Sequence, residues 1–183
     1  MKNPKLKPWL DAGISRIAKH GLSGINVSEM AEEIKIGKSS FYHYFTTKDE
    51  YLDQLLEYWE AEGTIRIIRN VLLHPIGSQP VRHLLENILE INFVHECVLQ
   101  QFRISSDDNI NIHQKVAEID QIRLSFLTNM LNKSGYKGTE ADKKARQVYV
   151  FFLGIFARCN LKTPNKKERQ LILDDFSNLF GEI

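Results

Sequence analysis

The stretch NVSEMAEEIKIGKSSFYHYFTTKDEYLDQLL, residues 26–56, is the most informative part of this chain for its architecture. It opens with Asn26, a residue type that caps helix N-termini, and Glu29 follows at the spacing of a capping-box partner. Apolar residues from Val27 to Ile34 then recur at helical spacing, which indicates one buried face. The break that follows contains Gly37. The pattern therefore predicts a helix, a tight turn and a further helix.

The helix after the turn is predicted to be short, spanning residues 38–45. Thr47 and Glu50 then repeat the capping pattern before another helix that begins at Lys48. Two helices joined by a tight turn, the second short and polar on its outer side, suit insertion into the major groove of DNA. Phe41 and Phe45 have the spacing of core residues. The polar residues on the outer face or at the start of this helix are Lys38, Ser39, Ser40, Tyr42 and His43.

This run resembles the DNA-binding domain of the TetR family of bacterial transcriptional regulators, whose usual sequence is close to IAEEAGVSKGTLYHYFKSKEEL after a capping Thr. The matching residues are 30–33, 36–45 and 48–50. The sequence departs from the family pattern in the turn, where Lys35 replaces the usual Gly and Gly37 the usual Ser. A left-handed conformation at Lys35 would carry a steric cost that Gly avoids.

The resemblance implies the DNA contacts. Family positions that match Ser39, Ser40, Tyr42 and His43 enter the groove or touch the DNA backbone, and Lys38 stands at the start of the same helix. Lys48 resembles the family's phosphate-contacting lysine. Asn26 caps its helix and can bring that helix N-terminus to a phosphate. The competing interpretation is that these side chains are ordinary solvated polar groups.

Length and composition fit a small regulator with a helical fold. The chain has 183 residues, of which 43% are hydrophobic and 26% charged, with a net charge of +1. Two cysteines without a CxxC motif, the lack of an apolar signal core and the short apolar stretches predict a cytoplasmic protein with no membrane span. No segment alternates apolar and polar residues as a strand would, so the fold is predicted to be all-α.

The resemblance divides the chain into a three-helix helix-turn-helix DNA-binding domain, residues 1–47, and a helical ligand-binding and dimerisation domain, residues 48–183. One helix of about 25 residues is predicted from Lys48 onwards, with some slippage near Gly63. Further helices are predicted over residues 81–102, 112–132, 139–161 and from about 166 to 180.

The segment 147–157 is apolar on all sides of a helix, so both of its faces must be covered. Gly154 in its middle permits close approach of a second helix. In the family the last two long helices pair with their symmetry mates in a four-helix bundle; a monomer core that uses all of this surface is the alternative. The predicted contacts across the dimer are Phe151, Gly154, Ile155, Arg158, Ile172, Phe176 and Leu179.

The family usually encloses a small ligand among the helices after the DNA-binding domain. Aromatic and polar residues on otherwise apolar helices are the candidates, and about a third of them are expected to line a cavity. The histidines and cysteines lack metal-ligand spacing, so neither a metal nor a cofactor is predicted. The candidate ligand residues are Trp59, Glu62, Arg66, Phe93, Glu96, Cys97, Gln100, Phe126, Asn129, Tyr149 and Phe152.

The predicted function is a homodimeric, DNA-binding transcriptional regulator, a repressor released from its double-stranded operator by a small molecule. The alternative within the same fold is a protein that acts through a protein partner and binds DNA weakly or not at all. An enzyme is the competing class. It is disfavoured because the sequence has no nucleophile elbow, Gly-rich phosphate loop or HExxH motif.

Overall fold

The computed structural model describes residues 4–73, 77–105, 109–158 and 163–183. Helices make up most of these ranges and no strand occurs in them, which confirms the all-α prediction. The helices are α1 (Lys7–His20), α2 (Val27–Ile34), α3 (Lys38–Tyr44), α4 (Lys48–Glu60), α5 (Arg66–Leu73), α6 (Pro80–Asn87), α7 (Phe93–Ile104), α8 (Ile110–Lys133), α9 (Thr139–Arg158) and α10 (Lys166–Phe180).

A π-helical turn, Ala61–Ile65, joins α4 to α5, so that residues 48–73 form one continuous helical run. The predicted long helix and its slippage near Gly63 are both found. A Cβ on Gly63 would come within 3.0 Å of the Trp59 ring, so the missing side chain lets that indole pack against the turn. π-turns of this kind often mark functional sites.

A second π-turn, Ile88–Asn92, joins α6 to α7 in the same way. The predicted helix over residues 81–102 is therefore a helical run from Pro80 to Ile104 that contains one wide turn. The predicted extension of α9 to residue 161 lies partly outside the described residues, as do parts of the predicted breaks after residues 73 and 105. None of the described helices is both long and apolar enough to cross a membrane.

Two hydrophobic clusters form the core. The first joins α1–α4 to residues of α7 and α8, among them Val98, Phe102 and Ile119. The second joins α5–α10 around Phe93, Phe152 and other apolar residues. Because α7 and α8 contribute to both clusters, the N-terminal helices rest directly on the helices that enclose the second core.

The last helix shows how local sequence sets these boundaries. Asn165 accepts from the backbone N–H groups of Lys167 and Glu168, and the Glu168 carboxylate accepts from the Asn165 N–H. This reciprocal capping box fixes the start of α10.

Candidate nucleic-acid interface and ligand cavity

The start of α2 is capped as predicted. Asn26 Oδ1 accepts hydrogen bonds from the Ser28 N–H at 3.0 Å and the Glu29 N–H at 3.3 Å. The predicted return bond is wrong in detail. Glu29 accepts from the Asn26 side-chain amide at 2.9 Å, and its other oxygen pairs with Arg16. The buried guanidinium attracts the carboxylate and turns it away from the backbone.

Arg16 of α1 is only 8% exposed and ties α1 to the helix-turn-helix. Its Nε donates to the Gly24 carbonyl at 2.7 Å and its Nη1 to Glu33 at 2.6 Å, while Nη2 pairs with Glu29. Sequence reasoning missed this residue. No local signal marks it, because its carboxylate partners lie 13 and 17 residues away.

The turn between α2 and α3 passes through a left-handed residue at Lys35, with φ 55° and ψ 39°. The Ile36 N–H donates to the Ala31 carbonyl at 3.1 Å and the Lys35 N–H to Glu32 at 3.3 Å. These two bonds form a Schellman motif. Lys35 therefore adopts the left-handed conformation whose steric cost was expected from the sequence.

Helix α3 is held by an aromatic core on one side. Phe41 is 1% exposed and Phe45 0%, and their rings pack against Trp9 and Tyr51 with centroid separations of 4.9 to 5.3 Å. The Tyr51 hydroxyl donates to the Trp9 carbonyl at 2.8 Å, which joins α4 to α1. The predicted core roles of Phe41 and Phe45 are confirmed.

The opposite side of α3 faces solvent. Lys38, Ser39, Tyr42 and His43 are exposed, Tyr42 at 56%, and Ser40 is half-buried. Lys38 Nζ donates to Ser28 Oγ at 3.0 Å, so the two helices share a polar edge. Because α3 buries its aromatic face in the core, its polar face is left accessible to a binding partner.

The N-terminus of α4 lies next along the chain, with Lys48 exposed at its first position. Thr47 Oγ1 accepts from the Glu50 N–H at 3.1 Å, as predicted. Glu50 accepts in return from the Thr46 N–H at 2.8 Å, one residue before the predicted partner. Asn26, the polar residues of α3 and Lys48 thus all remain accessible.

A cavity lies between the π-turn after α4 and helices α5–α9, with a free volume of about 40 Å³. Four of the predicted ligand residues line it: Glu96, Phe126, Tyr149 and Phe152. The remaining lining is Gly63, Thr64, Ile67, Ile68, Leu84, Ile88, Arg123, Leu127, Leu153 and Phe156.

The other predicted ligand residues lie elsewhere. Trp59, Phe93, Cys97 and Gln100 are buried but do not line the cavity; the Trp59 Nε1–H donates to the His95 carbonyl at 2.8 Å. Glu62 and Arg66 line a crevice against α1, and Asn129 lines an outer groove beside α8. Helical spacing can predict that a side chain points towards the interior, but it cannot predict which of these side chains line the same cavity.

Arg123 of α8 crosses the polar end of the cavity. Its Nη1 and Nη2 donate to the two Glu96 oxygens at 2.7 and 2.8 Å, and its Nε donates to Thr64 Oγ1 at 3.1 Å. Glu96 and Thr64 are each 2% exposed. Burial alone would lower the pKa of Arg123, but Glu96 raises it above its ordinary value, so the guanidinium stays charged.

A second ion pair adjoins the first. Arg103 donates through both Nη atoms to Asp120 at 2.7 Å, and the Tyr149 hydroxyl donates to the same carboxylate at 2.6 Å. Burial would raise the pKa of Asp120, but the hydrogen bonds from Arg103 and Tyr149 lower it. Burial raises the pKa of Tyr149. Tyr149 therefore links the cavity wall on α9 to α7 and α8.

Sequence reasoning missed Arg123 and Thr64. Arg123 stands four residues after Ile119 and four before Leu127, both buried, so its place on the inner face of α8 could have been noticed. Thr64 directly follows the Gly63 slippage, and nothing in its own spacing marks it.

The outer faces of α9 and α10 carry six of the seven predicted dimer residues. Gly154, Arg158 and Leu179 are exposed, Leu179 at 66%. A Cβ built on Gly154 would meet no described atom within 4 Å, so packing inside the subunit does not require glycine there. Phe151, Ile155 and Ile172 are half-buried, and two further apolar side chains, Val150 at 66% and Leu171 at 56%, are exposed nearby in sequence.

Phe176 corrects the prediction for one of these residues. It is 0% exposed, and its ring lies 5.7 Å from that of Phe151 and 5.0 Å from that of Phe180. Because it has no surface outside the subunit, its role in this conformation is to join α9 to α10 within the core.

Known proteins resemble this chain in sequence and in fold. Residues 10–55 match the family described as bacterial regulatory proteins, tetR family. The uncharacterized HTH-type transcriptional regulator YuxN of Bacillus subtilis is 28% identical over 141 residues, which are 73% of this chain and 47% of that protein. The chain thus spans about half the length of this curated relative.

Solved structures share the whole fold. The regulatory protein TetR from Rhodobacter sphaeroides superposes with a TM-score of 0.76 at 18% identity, over 96% of both chains. The reduced form of E. coli NemR gives 0.75 at 18% identity, over 97% of this chain and 98% of that one. The matching family is one of regulatory proteins, which confirms the choice of a regulator over an enzyme. Together, these matches show that residues 10–55 carry the sequence of the tetR family of bacterial regulatory proteins and that the chain has the fold of solved TetR-family regulators.

Proposed function

We propose that this protein is a homodimeric transcriptional repressor that binds operator DNA through α2, α3 and the start of α4 and is released by a small ligand. The observation that carries the proposal is the exposed polar face of α3, with Tyr42 and His43, fixed from behind by buried Phe41 and Phe45. On this proposal residues 1–47 read DNA, and residues 48–183 dimerise and sense the ligand.

The DNA face combines base and phosphate chemistry. Histidine and tyrosine side chains on a rigid short helix can reach base edges, whereas hydroxyls, lysines and helix N-termini bind phosphate. Lys48 occupies the first position of α4, where a positive charge is unfavourable beside the helix dipole. Neutralisation by a phosphate would remove that cost.

The dimer is supported by the surface of α9 and α10. Gly154 leaves open space beside the α9 backbone, and Val150, Leu171 and Leu179 leave apolar area in water. A helix-turn-helix pair related by a two-fold axis reads two half-sites one DNA turn apart, about 34–36 Å. Pairing through these helices would set that distance.

The release mechanism rests on the continuous helical run that begins at Lys48 and reaches the cavity at Gly63 and Thr64. A ligand that changes the π-turn would shift α4 and alter the spacing of the two recognition helices. A 100-fold preference for the non-binding state corresponds to a coupling free energy of about 2.7 kcal/mol, and by reciprocity DNA weakens ligand binding by the same factor.

The DNA contacts are tested by salt titration. Replacing Lys48 with alanine should weaken binding to all DNA sequences alike and reduce the log–log salt slope by about 1. His43→Ala should instead change sequence preference. Lys133→Ala, an exposed lysine at the end of α8, is the control and should leave the slope unchanged. An unaltered slope in the Lys48 variant would remove that residue from the phosphate contacts.

The dimer is tested at Gly154. Gly154→Leu should produce monomers with little operator affinity while the subunit keeps or gains stability, because leucine is the better helix former and meets no neighbour in the subunit. Gln114→Leu, at an exposed site on α8, is the matched control. Sedimentation that finds the wild type monomeric at micromolar concentration would contradict the dimer.

The same measurements separate the alternative function. A protein that acts through a partner protein would still dimerise, yet its affinity for DNA would be weak. His43→Ala would then not change its preference among DNA sequences.

A further inference from the structure

We infer that the cavity selects an uncharged, mainly apolar molecule whose oxygen accepts a hydrogen bond from Thr64. This ligand class deepens the proposed function and rests on it. The inference starts from the charges inside the cavity and from the one hydroxyl there whose proton has no acceptor among the described residues.

The polar end of the cavity is balanced without a ligand. Glu96 and Arg123 are the charged residues in its described lining, and they form a two-point ion pair with donor–acceptor distances of 2.7 and 2.8 Å. The neighbouring pair of Arg103 and Asp120 is balanced in the same way. The four groups sum to zero.

A charged ligand would upset this balance. An anion could approach Arg123 only by competing with Glu96, which is 2% exposed and would be left buried without its partner. A cation would face Arg123, which already lies 5.3 Å from the Trp59 ring centre and occupies the place of a bound cation. Because unpaired buried charge is costly, both kinds of ion are rejected.

The rest of the wall is apolar. Aliphatic side chains such as Ile67 and Leu84 come from α5 and α6, and the rings of Phe126, Phe152 and Phe156 come from α8 and α9. Such a surface favours an aromatic or aliphatic body.

Thr64 supplies the polar contact. Its Oγ1 accepts from Arg123 Nε at 3.1 Å, and no acceptor for its own proton is found in the described part of the chain. A threonine hydroxyl has one proton to donate. The Tyr149 hydroxyl, the other one in the wall, donates to Asp120. The donor left for a ligand is therefore the Thr64 hydroxyl, which fits a carbonyl or ether oxygen.

Ligand entry requires two side chains to move. A free volume of about 40 Å³ holds only a few water molecules, at roughly 10–15 Å³ each. Ile68 and Phe126 are half-buried and line both the cavity and the outer groove between α5 and α8. Rotation of these two side chains would join the two spaces and make room for a single ring.

The direct test uses acetophenone, benzoate and benzylammonium, which are close in size and differ in charge. Isothermal titration with the full-length protein should show acetophenone binding at least tenfold more tightly than either ion. Equal or tighter binding of benzoate or benzylammonium would overturn the inference. So would the absence of acetophenone binding at millimolar concentration.

Two variants locate the selectivity. Glu96→Gln frees the charge of Arg123 and should shift the preference to benzoate by at least tenfold, whereas Glu62→Gln, in the outer crevice, should not. If Glu96→Gln does not fold, Thr64→Val still decides. Wild type should prefer acetophenone to ethylbenzene, and Thr64→Val should abolish that preference. A preference that survives in Thr64→Val would contradict the assigned donor.

Failure of the ligand class is distinguishable from failure of the proposed function. Selective acetophenone binding with no effect on DNA affinity would leave the cavity chemistry intact and refute the release mechanism. Failure of acetophenone to bind, with DNA binding and dimerisation as proposed, would refute the ligand class alone.

Discussion

An arginine with two carboxylate contacts lies beside each of the two hydrophobic clusters, in the N-terminal region of α1–α4 and in the C-terminal region of α5–α10. The two arginines differ in the solvent exposure of the carboxylates that they bind. Arg16, in the N-terminal region, pairs with Glu29 and Glu33, whose side chains are 53% and 52% exposed. Arg123, in the C-terminal region, pairs with Glu96, whose side chain is 2% exposed. The first pair faces water and the second does not.

The difference separates two uses of the same chemistry. Around Arg16, carboxylates in water fasten α2 to α1 and hold the proposed DNA-binding surface in place. Around Arg123, the ion pair is the polar part of an interior cavity. Because a buried charge without its partner costs far more than an exposed one, disruption of the two sites should have unequal effects.

The largest effect is expected from Arg123→Met. It leaves Glu96 charged and buried without a counterion, which should lower the free energy of unfolding by about 3–5 kcal/mol. Urea denaturation measures the change. The double variant Glu96→Leu/Arg123→Met should recover most of the loss. If the double variant is as unstable as the single one, then the buried charge is not the cause.

A smaller loss, about 1–3 kcal/mol, is expected from Arg16→Met. The Gly24 carbonyl loses its donor, but Glu29 and Glu33 remain in water and need no counterion. DNA affinity should fall as well, because α2 is less firmly held. Denaturation of both arginine variants under one set of conditions checks the order. A loss at Arg16 that equals the loss at Arg123 would remove the contrast between the two regions.

Lys35→Gly should stabilise the N-terminal region by about 1 kcal/mol, because it relieves a left-handed non-glycine residue. Lys19→Gly, inside α1, is the control and should destabilise by a similar amount. Thermal unfolding distinguishes the two directions. A destabilised Lys35→Gly protein would mean that the lysine side chain contributes more than its backbone strain costs.

The smallest effect concerns His95, which lies at the junction of the two regions. Burial and Arg66 lower its pKa below the ordinary value of about 6.5, and its Nδ1 is buried without a partner among the described residues. The unfolded chain therefore takes up the proton first. The resulting stability is present above about pH 6.5 and is lost as pH falls towards the folded pKa.

His95→Gln should reduce the slope of stability against pH in that window. His113→Gln, on the exposed face of α8, is the control. Urea midpoints at several pH values between 7.5 and 5.5 give both slopes. An unchanged slope in His95→Gln would place the pH dependence elsewhere.

Local sequence predicted the helices and turns of the helix-turn-helix well, apart from the contacts of Arg16, because most of their determinants are local. These determinants act within a few positions of the chain. They are the helix caps at Asn26 and Thr47, the core spacing of Phe41 and Phe45, and the unfavourable left-handed residue at Lys35. The cavity depends on contacts between distant helices. Glu96 and Arg123 are 27 residues apart, and Thr64 and Arg123 59 apart, so spacing alone could not bring them together.

The same limit explains the partial success with the cavity residues and the error at Phe176. Residue character, aromatic and polar groups on otherwise apolar helices, marked Phe126 and Phe152 as candidates, and both line the cavity. Helical periodicity could not tell Phe176, which faces α9 in its own subunit, from Leu179, which faces solvent. Both lie on apolar stripes of α10, and only packing separates them.

A two-fold dimer that presents α3 to DNA should reveal itself in the sequences that it selects from a random double-stranded library. The protein should enrich an inverted repeat whose half-site centres lie about 10–10.5 base pairs apart or a multiple of that. The enriched DNA should bind wild type and lose affinity for both Gly154→Leu and His43→Ala. Failure to enrich any sequence, or enrichment of a site without two-fold symmetry that Gly154→Leu binds as well as wild type, would contradict such a dimer.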